Sequence, residues 1–152
     1  MTTGIWRVVE PTIQAGETYP LARDLTKADA LAYSALIGAR GARCRSGRRD
    51  RGDLIICAPT IREAAPDVAN CGYIVAPSAT GRGIARAMCM RTRSSRAGAL
   101  GFRAMQFNFV IGSNERAVRL WQSCGFHIVG RLPDAFEHPR LGLVDALVMY
   151  RS

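Results

Sequence analysis

The order of elements in this sequence predicts an α/β fold with two parallel central strands, and three observations carry the prediction. NCGYIV (70–75) is a short strand that passes through a glycine-rich turn, VAPSATGRGIA (75–85), into a helix. FRAMQFNFVI (102–111) is a second strong strand, followed at once by a helix, NERAVRLWQSC. HIVGRL (127–132) and LVDALVMYR (143–151) then read as two more strands. Alternation of strands and helices in this order is the signature of a layered α/β domain.

Taken in order, IWRVVEPT (5–12) reads as a first strand, and TKADALAYSALIG (26–38) as a helix opening at Thr26. From Arg40 to about Asp67 no helical or strand period shows, apart from DLIIC. The helix after the glycine turn ends near Gly98 or Gly101. Ser113 is the expected cap of the next helix, which stops at Gly125. There are no internal repeats, and 152 residues make one domain, 1–152, large enough to bury a core.

The net charge of +9 raises the question of nucleic acid. Its distribution points elsewhere. Residues 34–66 hold seven Arg against three acids, and 90–96 hold three Arg and no acid, so the remainder is close to balanced. No apolar run is long enough to span a bilayer, and the N-terminus lacks the pattern of a secretory signal. Five cysteines form no CxxC or Cys/His cluster, which argues against zinc and against a disulfide framework. The expectation is a cytoplasmic protein with free thiols, no metal and no membrane partner.

A strand leading through Gly81-Arg82-Gly83-Ile84-Ala85 into a helix is a phosphate-binding arrangement. Its glycines let backbone N–H groups converge, and the helix N-terminus adds the positive end of a dipole. The three spaced glycines and later acid of a dinucleotide fingerprint are absent, as is the Walker Lys. Downstream, Asn114-Glu115-Arg116-Ala117-Val118-Arg119-Leu120-Trp121-Gln122-Ser123-Cys124-Gly125-Phe126 fits Asn-x-x-Ala-x-x-Leu-aromatic-x-x-x-Gly-Phe. The two motifs together, about thirty residues apart, make the chain resemble the GCN5-related N-acetyltransferases (GNAT) over 68–152, and loosely over 4–33. NCGYIV, FNFV–SNERAVRLWQSCGF and VGRLPDAF look closest to a branch that acetylates proline analogues such as azetidine-2-carboxylate.

This resemblance implies a GNAT-type mixed central sheet flanked by helices, with the expected second and third strands degenerate in 34–66. It implies acetyl-CoA as donor, its pyrophosphate on the amides of 81–85, with Arg82 adding charge. Asn114 would contact the pantetheine arm, and the backbone N–H of Ile74 or Val75 would stabilise the oxyanion. Asn70 and Asn108 are the catalytic candidates. The acceptor would be a small-molecule amine or amino acid, with a homodimer left open. Two departures from the family stand out. Thr80 replaces its usual Arg or Gln, and Trp121 stands where many relatives carry the tyrosine that protonates the departing thiolate. An indole N–H is no usable acid, so water or the ammonium product must return the proton.

Strand alternation adds its own reading. Met105, Phe107, Phe109 and Ile111 should share one face of 102–111, with Gln106 and Asn108 on the other. Those amides either fix a substrate group or satisfy a wet sheet face; the resemblance favours function for Asn70 and Asn108. Ala117, Leu120, Trp121 and Cys124 follow core spacing, and Cys71 and Cys89 read as buried. His138 reads as a solvated loop residue, and Asp145 as a substrate-side acid or an edge-strand polar position.

The Arg tract 40–51 remains. Shifting the codons of 54–66 by one base can give a strand and glycine-rich loop of the kind relatives carry before NCGY, and MRTRSSR (90–96) can regroup to Ala-His-Ala-Leu-Glu. A frameshift is the preferred account of both segments, leaving 34–66 loop-like with at most DLII at a sheet edge. The rivals to an N-acetyltransferase are an impaired acyl-CoA-binding relic and, less favoured, an Arg-rich nucleic-acid binder.

Overall fold

Backbone pairing in the computed structural model, which describes residues 2–30, 32, 43–44, 53–59, 68–91 and 102–152, builds one mixed sheet. Its elements are α1 (Thr2–Ala15), β1 (Arg43–Cys44), β2 (Asp53–Pro59), β3 (Val68–Val75), α2 (Ile84–Arg91), β4 (Ala104–Ile111), α3 (Glu115–Ser123), β5 (His127–His138) and β6 (Gly142–Arg151). The strand order is β1-β2-β3-β4-β6-β5. As expected, β3 and β4 run parallel; the other neighbours are antiparallel. No helix among the described residues is long and apolar enough to cross a membrane.

The expected first strand is a helix. Residues 5–12 lie within α1, despite Pro11 in its interior. Their β-branched content imitates a strand, but the apolar spacing is helical. Val9 and Ile13, four residues apart, are buried together against Ile74 of β3, so packing of one helical face overrides local preference. The next helix does open at Thr26. Thr26 Oγ1 accepts from the Asp29 N–H at 3.2 Å and donates to Asp29 Oδ2 at 2.6 Å, and the Ala30 N–H reaches the Thr26 carbonyl at 2.9 Å. The continuation to Gly38 lies outside the described residues.

DLII reaches further than an edge position. β2 runs the length of β3, from Asp53↔Val75 to Pro59↔Ala69, and Arg43 and Cys44 pair outside it with Ile56 and Ile55. A backbone ladder needs no side-chain period to form, which is why pattern alone stopped short here. The remainder of the Arg tract, MRTRSSR beyond Arg91, and the end expected near Gly98 or Gly101 lie outside the described residues.

One face of the sheet carries most of the core. Ala69 and Cys71 of β3 and Met105, Phe107 and Val110 of β4 pack with Met88 and Cys89 of α2, Trp121 and Cys124 of the α3 end, Phe126 and Met149. Phe107 is the hub, its ring centroid 4.6 Å from Trp121 and 4.7 Å from Phe126. The expected face Met105/Phe107/Phe109/Ile111 is corrected in its second half. Between Phe107↔Met149 and Val110↔Leu147, three steps on β4 oppose two on β6. The bulge resets the alternation, so Val110 joins Phe107, while Phe109 meets Phe136 of β5 edge-on at 6.4 Å.

Two helix signals were one residue out or sharper than expected. The cap of α3 is Asn114, not Ser113; its Oδ1 accepts from the Ala117 N–H at 3.2 Å. The stop at Gly125 holds. With φ +91° there, Gly125 N–H reaches Gln122 O at 2.9 Å and Phe126 N–H reaches Trp121 O at 3.1 Å, the paired bonds of a Schellman ending.

Candidate active site

After β3 the chain makes one tight turn, Pro77–Ala79, in which Ala79 N–H donates to Ala76 O at 2.8 Å. Thr80 Oγ1 turns back to the same carbonyl at 3.4 Å. Gly81 (φ +82°) and Gly83 (φ +71°) then take left-handed conformations that favour glycine. The Ala87 N–H bonds to Gly83 O at 2.9 Å, so the amides of Ile84, Ala85 and Arg86 open the helix with no carbonyl a turn before them. A Cβ built on Gly83 meets nothing within 4 Å. The space over these amides is open, while the Ile84 and Ala85 side chains pack on the core beneath. A phosphate fits this cradle on shape and on sign.

Beside the cradle the sheet opens. β3 and β4 pair only at Val68↔Ala104, Ala69↔Met105 and Asn70↔Gln106. Beyond Asn70 the two strands have no mutual ladder, although each runs on for five residues, to Val75 and Ile111. Successive N–H groups along a strand point to opposite edges, so of Ile74 and Val75 one faces β2 and the other faces this opening.

At the vertex stands Asn70. Its Oδ1 is buried with no hydrogen-bond partner among the described residues. A buried amide oxygen left unpaired is costly, and a donor on a bound molecule removes the cost. Asn70 is paired with Gln106 in the register, on the face opposite the aromatic core. Gln106 Nε2 donates to Asn108 Oδ1 at 2.6 Å, which leaves the exposed Asn108 amide nitrogen free to point outward. The predicted Asn70 and Asn108 thus share one face with Gln106. The predicted 81–85 loop lies at the C-terminal end of the same strand. Asn114 uses one lone pair of its oxygen as a helix cap, and its amide nitrogen remains a donor for a ligand.

The other candidates resolve as scaffold. Cys71, Cys89 and Cys124 are buried free thiols. Burial first, and the neighbouring Cys124 second, push the Cys89 thiol up to about 12, so it is no nucleophile at neutral pH. His138 is not solvated: it is buried, and its Nδ1 accepts from the N–H groups of Arg140 (3.2 Å) and Leu141 (3.3 Å), closing the β5–β6 turn. Asp145 lies on an interior strand, since β5 forms the edge. Its carboxylate bonds Arg131 and the Asp134 N–H (3.0 Å), pinning an irregular stretch of β5 where Asp134 has φ +50°. Trp121 is 7% exposed, stacked on Phe107 as a core residue.

One residue near the cradle escaped the sequence reading. Arg116, in the first turn of α3, holds its Nη2 3.8 Å from where a Gly81 Cβ would stand. Its place two residues after Asn114 was the available signal.

Against known families, residues 43–126 match the model of the acetyltransferase (GNAT) family. No curated protein matches the chain. Among solved structures, a GCN5-related N-acetyltransferase from Kribbella flavida is 34% identical, with 99% of this chain and 90% of that one covered at a TM-score of 0.75. An N-acetyltransferase from Staphylococcus aureus Mu50 is 17% identical, over 99% and 92% of the two chains, at a TM-score of 0.83. A phosphinothricin acetyltransferase from Sinorhizobium meliloti, in complex with acetyl-CoA, is 17% identical over 99% and 84%, at a TM-score of 0.73.

Proposed function

The chain belongs to the GNAT acetyltransferase family, and on that premise we propose that it transfers the acetyl group of acetyl-CoA to the amine of a small molecule or amino acid. Attack is direct, within a ternary complex. The observation that carries the reading is the open cradle at Gly81–Ala85 leading, along one strand, to the unpaired Asn70 oxygen.

Each part has a role that its chemistry supports. The amides of 81–85, with Arg82, hold the donor's pyrophosphate, and the nitrogen of Asn114 reaches the pantetheine arm. The N–H of Ile74 or Val75 that faces the opening donates to the thioester oxygen as it gains charge. Asn70 Oδ1 accepts a hydrogen from the incoming amine, and Asn108, oriented by Gln106, supplies a donor for a polar group of the acceptor. The N–C bond forms, the C–S bond breaks, and the proton lost by nitrogen returns to the thiolate directly or through water. Among the described residues the buried thiols Cys71, Cys89 and Cys124 take no part, and the direct attack needs no acyl-enzyme. Trp121, packed on Phe107 in the core of the opposite face, donates no proton.

The test is donor binding and turnover with a panel of small amines and amino acids. Gly83→Val forces a side chain into a left-handed backbone position and into the open cradle. Calorimetry is expected to register loss of CoA binding by more than about tenfold, the equivalent of ~1.4 kcal/mol. A folded Gly83→Val protein with the wild-type affinity for CoA would overturn the reading.

A further inference from the structure

The cradle has a neighbour on a different element. Two arginines follow Glu115 on α3, and they differ in environment. Arg119 Nη1 bonds Glu115 Oε2 at 3.0 Å, both side chains being exposed. Arg116 has no carboxylate within ion-pair distance among the described residues. Its guanidinium lies instead over Gly81, 3.8 Å from the position a Cβ would take. Arg82 and Arg86 stand exposed on the loop and on α2. A free guanidinium beside a loop of N–H donors and arginines sits among like partial charges, an arrangement that an anion relieves.

The geometry points to Arg116 as a donor-recognition residue, a cation supplied by α3 that grips the phosphates held by the amides of 81–85. This rests on the donor site proposed above. Gly81 serves this arrangement through its φ of +82°; a Cβ there would meet the guanidinium only at ordinary contact distance, so the grip depends on the loop's backbone shape and not on a cleared space. Binding of the donor also ties α3 to α2, because one anion bridges a residue of α3 and the first amides of α2. Arg119, neutralised by Glu115, contributes nothing to the grip.

The experiment is calorimetric titration with CoA and, separately, with inorganic pyrophosphate, at low and at physiological salt. The proteins are wild type, Arg116→Gln, Arg119→Gln and Gly83→Val. Arg116→Gln is expected to weaken CoA about tenfold at low salt, with a smaller effect at higher salt because the contact is exposed. Pyrophosphate weakens in parallel, Arg119→Gln matches wild type, and melting temperatures stay close. Wild-type affinity in Arg116→Gln at low salt, with Gly83→Val still impaired, overturns this inference and leaves the donor site standing. A loss of CoA affinity without a parallel loss for pyrophosphate also overturns it. Failure of the wild type to bind CoA removes both.

Discussion

On the α2–α3 side of the sheet, Phe107, Trp121 and Phe126 stack at 4.6–4.7 Å from the hub, while Cys89 and Met149 are wholly buried. On the other side the same two strands present Asn70, Gln106 and Asn108, and one of the amide oxygens is buried without a partner. On that side Ile74 belongs to a small apolar cluster with Val9 and Ile13 of α1. A filled core and a half-satisfied polar face thus share one backbone. The first face supplies stability, and the second carries an unpaired buried acceptor that costs some, which the proposed function assigns to ligand binding.

The sharpest way to break the comparison is on the packed face. Trp121→Ala should cost about 3–5 kcal/mol of unfolding free energy, read from urea midpoints. Trp121→Phe should cost less and keep turnover per folded molecule, since the indole is not an acid. A large loss of turnover in Trp121→Phe with stability intact would place this residue in the chemistry after all.

Asn70→Leu addresses the opposite face and should reverse the pattern. Stability should hold or rise, because an unpaired buried acceptor costs about 1–3 kcal/mol. Turnover should fall at least about tenfold, or ~1.4 kcal/mol of barrier. If stability and turnover fell together, Asn70 would be structural and the two faces would not differ in kind.

The smallest effect tests the hairpin that borders both faces. The N–H of Asp134 first, and Arg131 second, hold the Asp145 carboxyl below the usual carboxylate range. Its contribution is therefore complete above the unfolded value of about 3.9 and is lost as pH falls through the lowered folded value. The urea midpoints of wild type and Asp145→Asn should differ slightly at neutral pH and converge under acid. A gap that persisted below the folded value would deny Asp145 this role.

The packed half of the fold was legible in the sequence because its signals are local and strong. Gly81, Gly83 and Gly125 mark helix ends by a left-handed backbone that few other residues tolerate, the cap of α3 was read one residue early at Ser113 instead of Asn114, and Trp121 and Cys124 keep helical spacing. What was not legible depended on distant partners. Residues 5–12 carry strand-like composition, and only the burial of Val9 and Ile13 on Ile74 makes them a helix. The β4 bulge that moves Phe109 is set by register against β6. His138 looks solvated until the turn folds its amides onto Nδ1. At the site, alternation put Gln106 and Asn108 on one face and the family resemblance added Asn70 from the neighbouring strand, whereas Arg116 was visible only once α3 lay beside the glycine loop.

The position of β6 sets an order of assembly during synthesis. It lies between β4 and β5, yet it follows both in the chain. As the polypeptide emerges, β4 has one edge open throughout the appearance of residues 112–141, and β5 has nothing of its own sheet to pair with. Only the arrival of Gly142–Arg151 closes the gap, and it brings Arg151, whose guanidinium bonds the Cys124 carbonyl at the end of α3. Such late, non-local pairing is slow and exposes strand edges on the way. A nascent chain halted before Gly142 should therefore be a ready substrate for chaperones, whatever the stability of the finished sheet.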